Sequence, residues 1–230
     1  VKSGAESPIQ RVMIATQINN KSVLGLWLFL MPSELLPISS DEKKWVNQLT
    51  TNRGWIYHFS RGCVRNVMSE ISGLDPLEIP LKADPGKPPL LAEGWGHISI
   101  SHCSDALLIG WSAGKIGVDL ERRDRKIKAQ KLSRRFFTKS ENYELENLNP
   151  SETNEQVLRR WVVKEAAIKW QSAKISTNIS QWIWTNNSSF VSHKKLGHHL
   201  KVYNQSYKKW IFTIALNTDL KINNPILCIH

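Results

Sequence analysis

Cysteine is scarce in this chain: there are three in 230 residues. Cys63, Cys103 and Cys228 are odd in number and far apart. That spacing supports neither a disulfide framework nor a zinc cluster, and a reducing, cytoplasmic setting is the simplest expectation. Long hydrophobic runs are missing too. The longest, Val23 to Met31, has nine residues, against the roughly 20 that a membrane-spanning helix needs. No basic start followed by a small-residue cleavage site marks a leader. Acidic side chains are in deficit, since 31 Lys and Arg face 20 Asp and Glu and leave a net charge of +11. That surplus suits polyanionic partners, whether nucleic acid, anionic lipid, a phosphorylated small molecule or an acidic protein, and does not choose among them. Low-complexity segments and internal sequence repeats are absent as well.

What is present is enough apolar material for a real core: 41% hydrophobic residues, with ten tryptophans. The length allows one large domain or two of about 115 residues each. The first ten residues read as a flexible tail. Val23 to Met31 reads as a buried strand, and Ser40 or Asp41 can cap a short helix after it. Ile56, Phe59, Cys63, Val67 and Ile71 recur at helical spacing and predict a helix from about Gly54 to Ile71. Asp84-Pro85-Gly86 and Pro88-Pro89 dictate a loop. "HISISH" (97–102), "ALLIGWS" (106–112) and "KIGVDL" (115–120) then predict an antiparallel meander at mid-chain. Gln130 to Phe137 and Val157 to Ala173 read as helices, and Ser180 onward as strands joined by polar turns.

Three short stretches carry chemistry. In "IGVDLE" (116–121), Ile116, Val118 and Leu120 alternate with Gly117, Asp119 and Glu121. Alternation of that kind marks a half-buried strand with both carboxylates on one face, about 7 Å apart. Two like charges side by side either face water or share something positive. In "RRWVVKEAAIKW" (159–170), Leu158, Trp161, Val162 and Ile168 can face a core, while Lys164, Glu165 and Lys169 fall mostly to one side. Glu165 and Lys169 there form an i,i+4 pair in the favourable order. "SHCSD" (101–105) follows a strand, and its Ser-His pair has the chemistry either of half a hydrolase site or of phosphate binding. No G-x-S-x-G elbow accompanies it.

Taken in order, "GKP" (86–88), "ISISHCSD" (98–105), "IGVDLE", "RRFFTKSE" (134–141) and "WVVKEAAIK" (161–169) resemble the motif series of the 4'-phosphopantetheinyl transferases. The likeness is to the monomeric surfactin-synthetase-activating (Sfp) type and covers residues from about 40 to 170. It implies an α/β (α+β) fold: a pseudo-dimer of two similar α/β halves, residues 1–113 and 114–230, with the active site in the cleft between them. It further implies transfer of 4'-phosphopantetheine from coenzyme A, the co-substrate, to a serine of an acidic apo-carrier protein, acyl, polyketide or peptidyl. The products would be holo-carrier and adenosine 3',5'-bisphosphate. The carrier would serve fatty acid, polyketide or nonribosomal peptide synthesis.

By the same resemblance Asp119, Glu121 and Glu165 hold Mg²⁺, or Mn²⁺, against the pyrophosphate. Magnesium suits a few carboxylates together with phosphate oxygens. Lys169 is expected at the pyrophosphate, and Ser101 and His102 at coenzyme A phosphates. Gly86, Lys87 and Pro88 form the loop expected at the adenine and 3'-phosphate, where Lys43 and Arg61 would add charge. The base that takes the serine proton is Glu165, a metal-bound water or Lys169, the last a poor base at an ordinary pKa near 10.4. Five positions depart from the family pattern: Ile98, Ser99 and Cys103 replace its Phe, Asn and final Ser, Val162 a small polar residue, and Val46 an occasional basic one. Two other classes fit parts of the chain. A nucleic-acid-binding module would use the basic run "RRDRKIKAQKLSRR" (122–135), and a metal-dependent phosphohydrolase also groups carboxylates. Neither accounts for the whole motif order, so the expected partners include no nucleic acid and no membrane.

Overall fold

Val23 to Met31 is apolar without alternation because its strand is covered on both faces. Leu24, Leu26 and Leu28 turn one way, into a cluster with Leu108, Val118, Leu120, Phe212 and Ile214. Trp27 and Phe29 turn the other way, onto Phe59, Cys63, Val64 and Val67 of a helix. A strand so placed has no polar face to show.

The computed structural model describes residues 11–18, 21–31, 34–174, 178–185, 187–218 and 227–228; the expected N-terminal tail lies outside them. Its strands and helices run β1 (Arg11–Ile18), β2 (Lys21–Leu30), α1 (Ser40–Gln48), α2 (Thr51–Ser72), β3 (Leu81–Lys82), β4 (Leu90–Leu91), β5 (His97–His102), β6 (Ala106–Ser112), β7 (Ile116–Arg122), α3 (Ala129–Phe136), α4 (Lys139–Tyr143), α5 (Pro150–Gln171), β8 (Trp182–Ile183), β9 (Phe190–His193), β10 (His199–Tyr207), β11 (Trp210–Asn217) and β12 (Leu227–Cys228). The fold is mixed α/β. One five-stranded sheet has the order β12-β1-β2-β6-β5, a second has the order β7-β11-β10-β9-β8, and β3 pairs with β4. The strand pairs are antiparallel. The inner faces of the two large sheets pack on each other. Helix α2 covers the outer face of the first, and α5 covers that of the second through Val163, Ala166, Ala167 and Ile168 against Trp182, Val191 and Val202. The result is four layers, helix-sheet-sheet-helix.

Two expectations are corrected here. The meander breaks after β6: β7 pairs with β11, Asp119 opposite Thr213, and becomes the edge of the second sheet. Helix α5 starts seven residues before Val157, at Pro150. Asn149 caps it by accepting from the Ser151 and Glu152 amides at 3.0 Å, Glu152 caps the Asn149 amide in return, and Pro150 fills the first turn. Between the sheets, Asp105 in the β5–β6 turn accepts from Arg122 and Lys209 at 2.6 Å and from the Trp210 indole at 3.0 Å. Burial would raise its pKa, but these donors, with Cys103, bring it down to about 2.

Lys164 does not share a side with Glu165 and Lys169. It is fully buried, 2.9 Å from the Glu141 carboxylate, and donates to the Trp182 carbonyl at 2.6 Å. Burial lowers its pKa to about 8, against the pull of Glu141. Glu141 is as buried and also accepts from the Thr138 amide at 2.8 Å and the Trp184 amide at 3.0 Å. The pair therefore nails α4, α5 and β8 together. Glu141→Ala should lower the unfolding free energy by roughly 3–5 kcal/mol, since it strands a buried ammonium. Urea denaturation checks this; a loss typical of an exposed pair, about 0.5 kcal/mol, would show the pair to be dispensable.

Candidate active site

Glycine at position 117 sets the approach of α5 to β7. A Cβ there would overlap the Ala166 carbonyl oxygen and the Trp170 amide nitrogen of α5. Only a residue without a side chain lets helix and strand backbones meet so closely. Contact at Ala166 and Trp170 lays the intervening turn over the carboxylate face of β7. Glu165 and Lys169, one turn apart, thereby reach Asp119.

Asp119 is 2% exposed, so the solvated-edge alternative for this pair does not hold at its first acid. Its Oδ1 accepts from the Lys169 ammonium and from the Ser101 hydroxyl, each at 2.7 Å. Its Oδ2 is buried and has no hydrogen-bond partner among the described residues. Lys169 thus pairs with Asp119 rather than forming the expected link to Glu165 along its own helix. Glu121 is half-buried and ion-paired with Arg125. Burial raises its pKa, against the pull of Arg125. Glu165, also half-buried, is pushed up to about 8, first by burial, then by the charge of Asp119, with Glu121 adding and Lys169 opposing.

These groups stand in one cleft of about 1120 Å³, slightly above the usual ~300–1,000 Å³ of small-molecule sites. Gly86, Lys87, Pro88, Ser101, His102, Asp119, Glu121, Glu165 and Lys169 all line it. Its walls come from both large sheets, and Trp111, Ile116 and Trp170 add apolar surface to its lining. The Asp84–Lys87 turn has Pro85 second and Gly86 third at φ 77°, with the Lys87 amide donating to the Asp84 carbonyl at 3.1 Å, the pattern of a type II turn. Lys87 reaches back to Asp84 at 3.0 Å. His102, at the end of β5, opens to solvent on one side. Partial desolvation lowers its pKa, as do Lys169 and Arg61, against Asp119.

Lys43 and Arg61 are not among the lining residues. Lys43 is exposed on α1. Arg61 is buried in α2, its guanidinium 4.7 Å from the Tyr57 ring centre and bonded to the Ser60 hydroxyl at 3.3 Å, with Nε unpartnered among the described residues. Its positive charge is felt at His102. Sequence reasoning missed two residues that shape the cleft. Gly117 could have been found as a glycine inside a strand, and Ser99 from its i,i+2 spacing to Ser101.

Among the described residues no three His, Cys, Asp or Glu side chains already form a metal-binding group. Glu121 is turned to Arg125, and Asp119 to Lys169 and Ser101. The donor set is nonetheless oxygen only, the ligand type of magnesium and manganese, and the unpartnered Asp119 Oδ2 is a free donor atom. The residues fit such a cation.

Residues 115–216 match the family model described as 4'-phosphopantetheinyl transferase superfamily. Over 147 residues the chain is 27% identical to the 4'-phosphopantetheinyl transferase ffp of Bacillus subtilis, covering 63% of this chain and 65% of that one. Over 90 residues it is 34% identical to a Synechocystis protein that carries the same transferase name provisionally, covering 39% and 37%. The matched segment thus spans less than two thirds of either relative. The family model covers less than half of the chain, and over that segment the chain is similar to the 4'-phosphopantetheinyl transferase superfamily. The family-model match takes in β7 and α5, with Asp119, Glu121, Glu165 and Lys169, while Lys87, Ser101 and His102 come from before it.

The raised pKa of Glu165 makes a signed prediction for the metal-free protein. A carboxyl whose folded pKa lies above its unfolded value adds stability below about pH 4.5 and loses it as pH rises through about 8. Glu165→Gln removes that dependence. The melting temperature of the variant relative to the parent should climb between pH 5 and pH 9 in chelator; a constant difference would show that Glu165 titrates normally.

Proposed function

We propose that the chain transfers the 4'-phosphopantetheine group of coenzyme A to a serine of an apo-carrier protein, as a monomeric transferase of the surfactin-synthetase-activating type. The observation that carries this reading is the single cleft in which three acids and Lys169 of the second sheet's half face Lys87, Ser101 and His102 of the first. The two-half reading, 1–113 and 114–230, draws support from a repeated plan: the first half supplies four strands of one antiparallel sheet and the second all five of the other, each sheet covered by a helix of 22 residues, α2 in one and α5 in the other.

Asp119, Glu121 and Glu165 would hold a magnesium ion, which when bound neutralises charge developing on the pyrophosphate. Lys87, His102 and Lys169 set positive or hydrogen-bonding groups along the cleft for the phosphates, and the charge of Arg61 is felt at His102. The serine oxygen attacks the phosphorus nearer the pantetheine, and the bond from that phosphorus to the bridging oxygen breaks. Adenosine 3',5'-bisphosphate leaves with the bridging oxygen. Glu165, the acid of the three that pairs with no basic side chain in the cleft among the described residues, would take the serine proton, while Lys169 is engaged as a donor to Asp119.

An acidic carrier would be drawn by the exposed Arg134 and Arg135 of α3. Arg122 and Arg125 contribute less, being tied to Asp105 and Asp124 and to Glu121. Long-range attraction of this kind is screened over about 8 Å at physiological ionic strength.

Asp119→Ala, Glu121→Ala and Glu165→Ala should each nearly abolish transfer, read by intact mass on a panel of apo-carriers, and chelator should do the same to the parent. One such variant keeping parental turnover at modest Mg²⁺ removes that residue from the ligand set. Release of product from a phosphoester without any carrier would favour a phosphohydrolase instead. Charge reversal at Arg134 and Arg135 should raise the carrier KM and leave coenzyme A binding intact, and the parental carrier KM should rise with salt. Carrier kinetics that ignore salt would remove α3 from the docking surface.

A further inference from the structure

Strands β5 and β7 are the facing edges of the two large sheets, and hydroxyl groups join them in place of a backbone ladder. "HISISH" alternates: Ile98 and Ile100 pack into the core under α2, while Ser99 and Ser101 turn to β7. The Ser99 hydroxyl accepts from the Val118 amide at 3.0 Å and the Ser101 hydroxyl from the Leu120 amide at 3.2 Å. Two serines two apart thus meet two amides two apart, as strand periodicity requires. Towards the backbone the two hydroxyls are equivalent.

Towards Asp119 they are not. A hydroxyl has one hydrogen, and Ser101 gives its own to Asp119 Oδ1 at 2.7 Å. Lys169 donates to the same oxygen, so Oδ2 is left buried and unpartnered among the described residues. Both donors sit on one side of the carboxylate, fixing its rotation and making its two oxygens unequal. We propose that Ser101 is a positioning residue: it holds Asp119 so that Oδ2 is presented to a divalent cation, and need not itself touch a phosphate. The inference rests on the metal-dependent transferase reading above. Groups that orient a metal-binding carboxylate typically change affinity or activity by about 10–100-fold when removed.

The test compares Ser101→Ala with Ser99→Ala, measuring free Mn²⁺ by electron paramagnetic resonance without coenzyme A, and melting temperature alongside. Each variant loses one hydrogen bond to β7, so both should melt lower. Only Ser101→Ala should weaken Mn²⁺ binding, by about 10–100-fold, and Ser101→Thr should restore it. Parental Mn²⁺ affinity in Ser101→Ala overturns the proposal, as does an equal loss in Ser99→Ala, which would mean that strand placement alone matters. If Ser101→Ala does not fold, Ser101→Thr against Ser101→Val makes the same comparison, because these differ in hydroxyl against methyl. A parent that binds no Mn²⁺ overturns the inference outright. A parent that binds Mn²⁺ in a Ser101-dependent way but modifies no apo-carrier sinks the transferase reading and leaves this one standing.

Discussion

The backbones of α5 and β7 touch at Gly117, with no room for a single added carbon between them. Much else is fixed by that contact. It sets the depth at which Glu165 and Lys169 reach the carboxylate face of β7. It also seals one wall of the cleft with helix backbone, so Asp119 is buried and charges near it act through protein rather than water. The hidden pair on the opposite side of α5, Lys164 with Glu141, keeps the helix from rotating away. The glycine contact on one side of α5 and the buried ion pair on the other thus together fix the helix over the carboxylate face of β7.

Charge in the cleft is only partly balanced by its own basic side chains, and the shortfall shows in who holds whom. Asp119 is compensated by Lys169 and hydrogen-bonded by Ser101, and Glu121 by Arg125. Glu165 is left in the field of two neighbouring acids, which with burial explains its raised pKa. Like charges grouped in this way are expensive unless something positive joins them. That shortfall is the physical argument, independent of any likeness to other proteins, behind the proposed divalent ion.

Much of this was readable from local pattern. The alternation in "IGVDLE" placed its two acids on one strand face, and the apolar run at Val23 to Met31 announced a strand covered on both sides. What was not readable depends on partners distant in sequence. Nothing in the three residues between β6 and β7 says that the chain leaves one sheet for the other, since an alternating strand pairs equally well with either. Lys164 looked like a companion of Glu165 because charged residues default to the exposed face. Its partner lies 23 residues earlier, in a helix too short to show periodicity. The start of α5 was hidden for a different reason: its first two turns are largely polar, so only the Asn149, Pro150 and Glu152 capping signal marks it.

Strand β12 returns to the first sheet and pairs with β1, Met13 opposite Cys228. The chain therefore begins that sheet, builds the second, and comes back. Neither half is a free-standing bead on a string, because unravelling the second loosens a strand pair in the first. Together with the Asp105 cluster and the serine hydroxyls between the sheets, this closed path favours a single cooperative melting event over two separate ones.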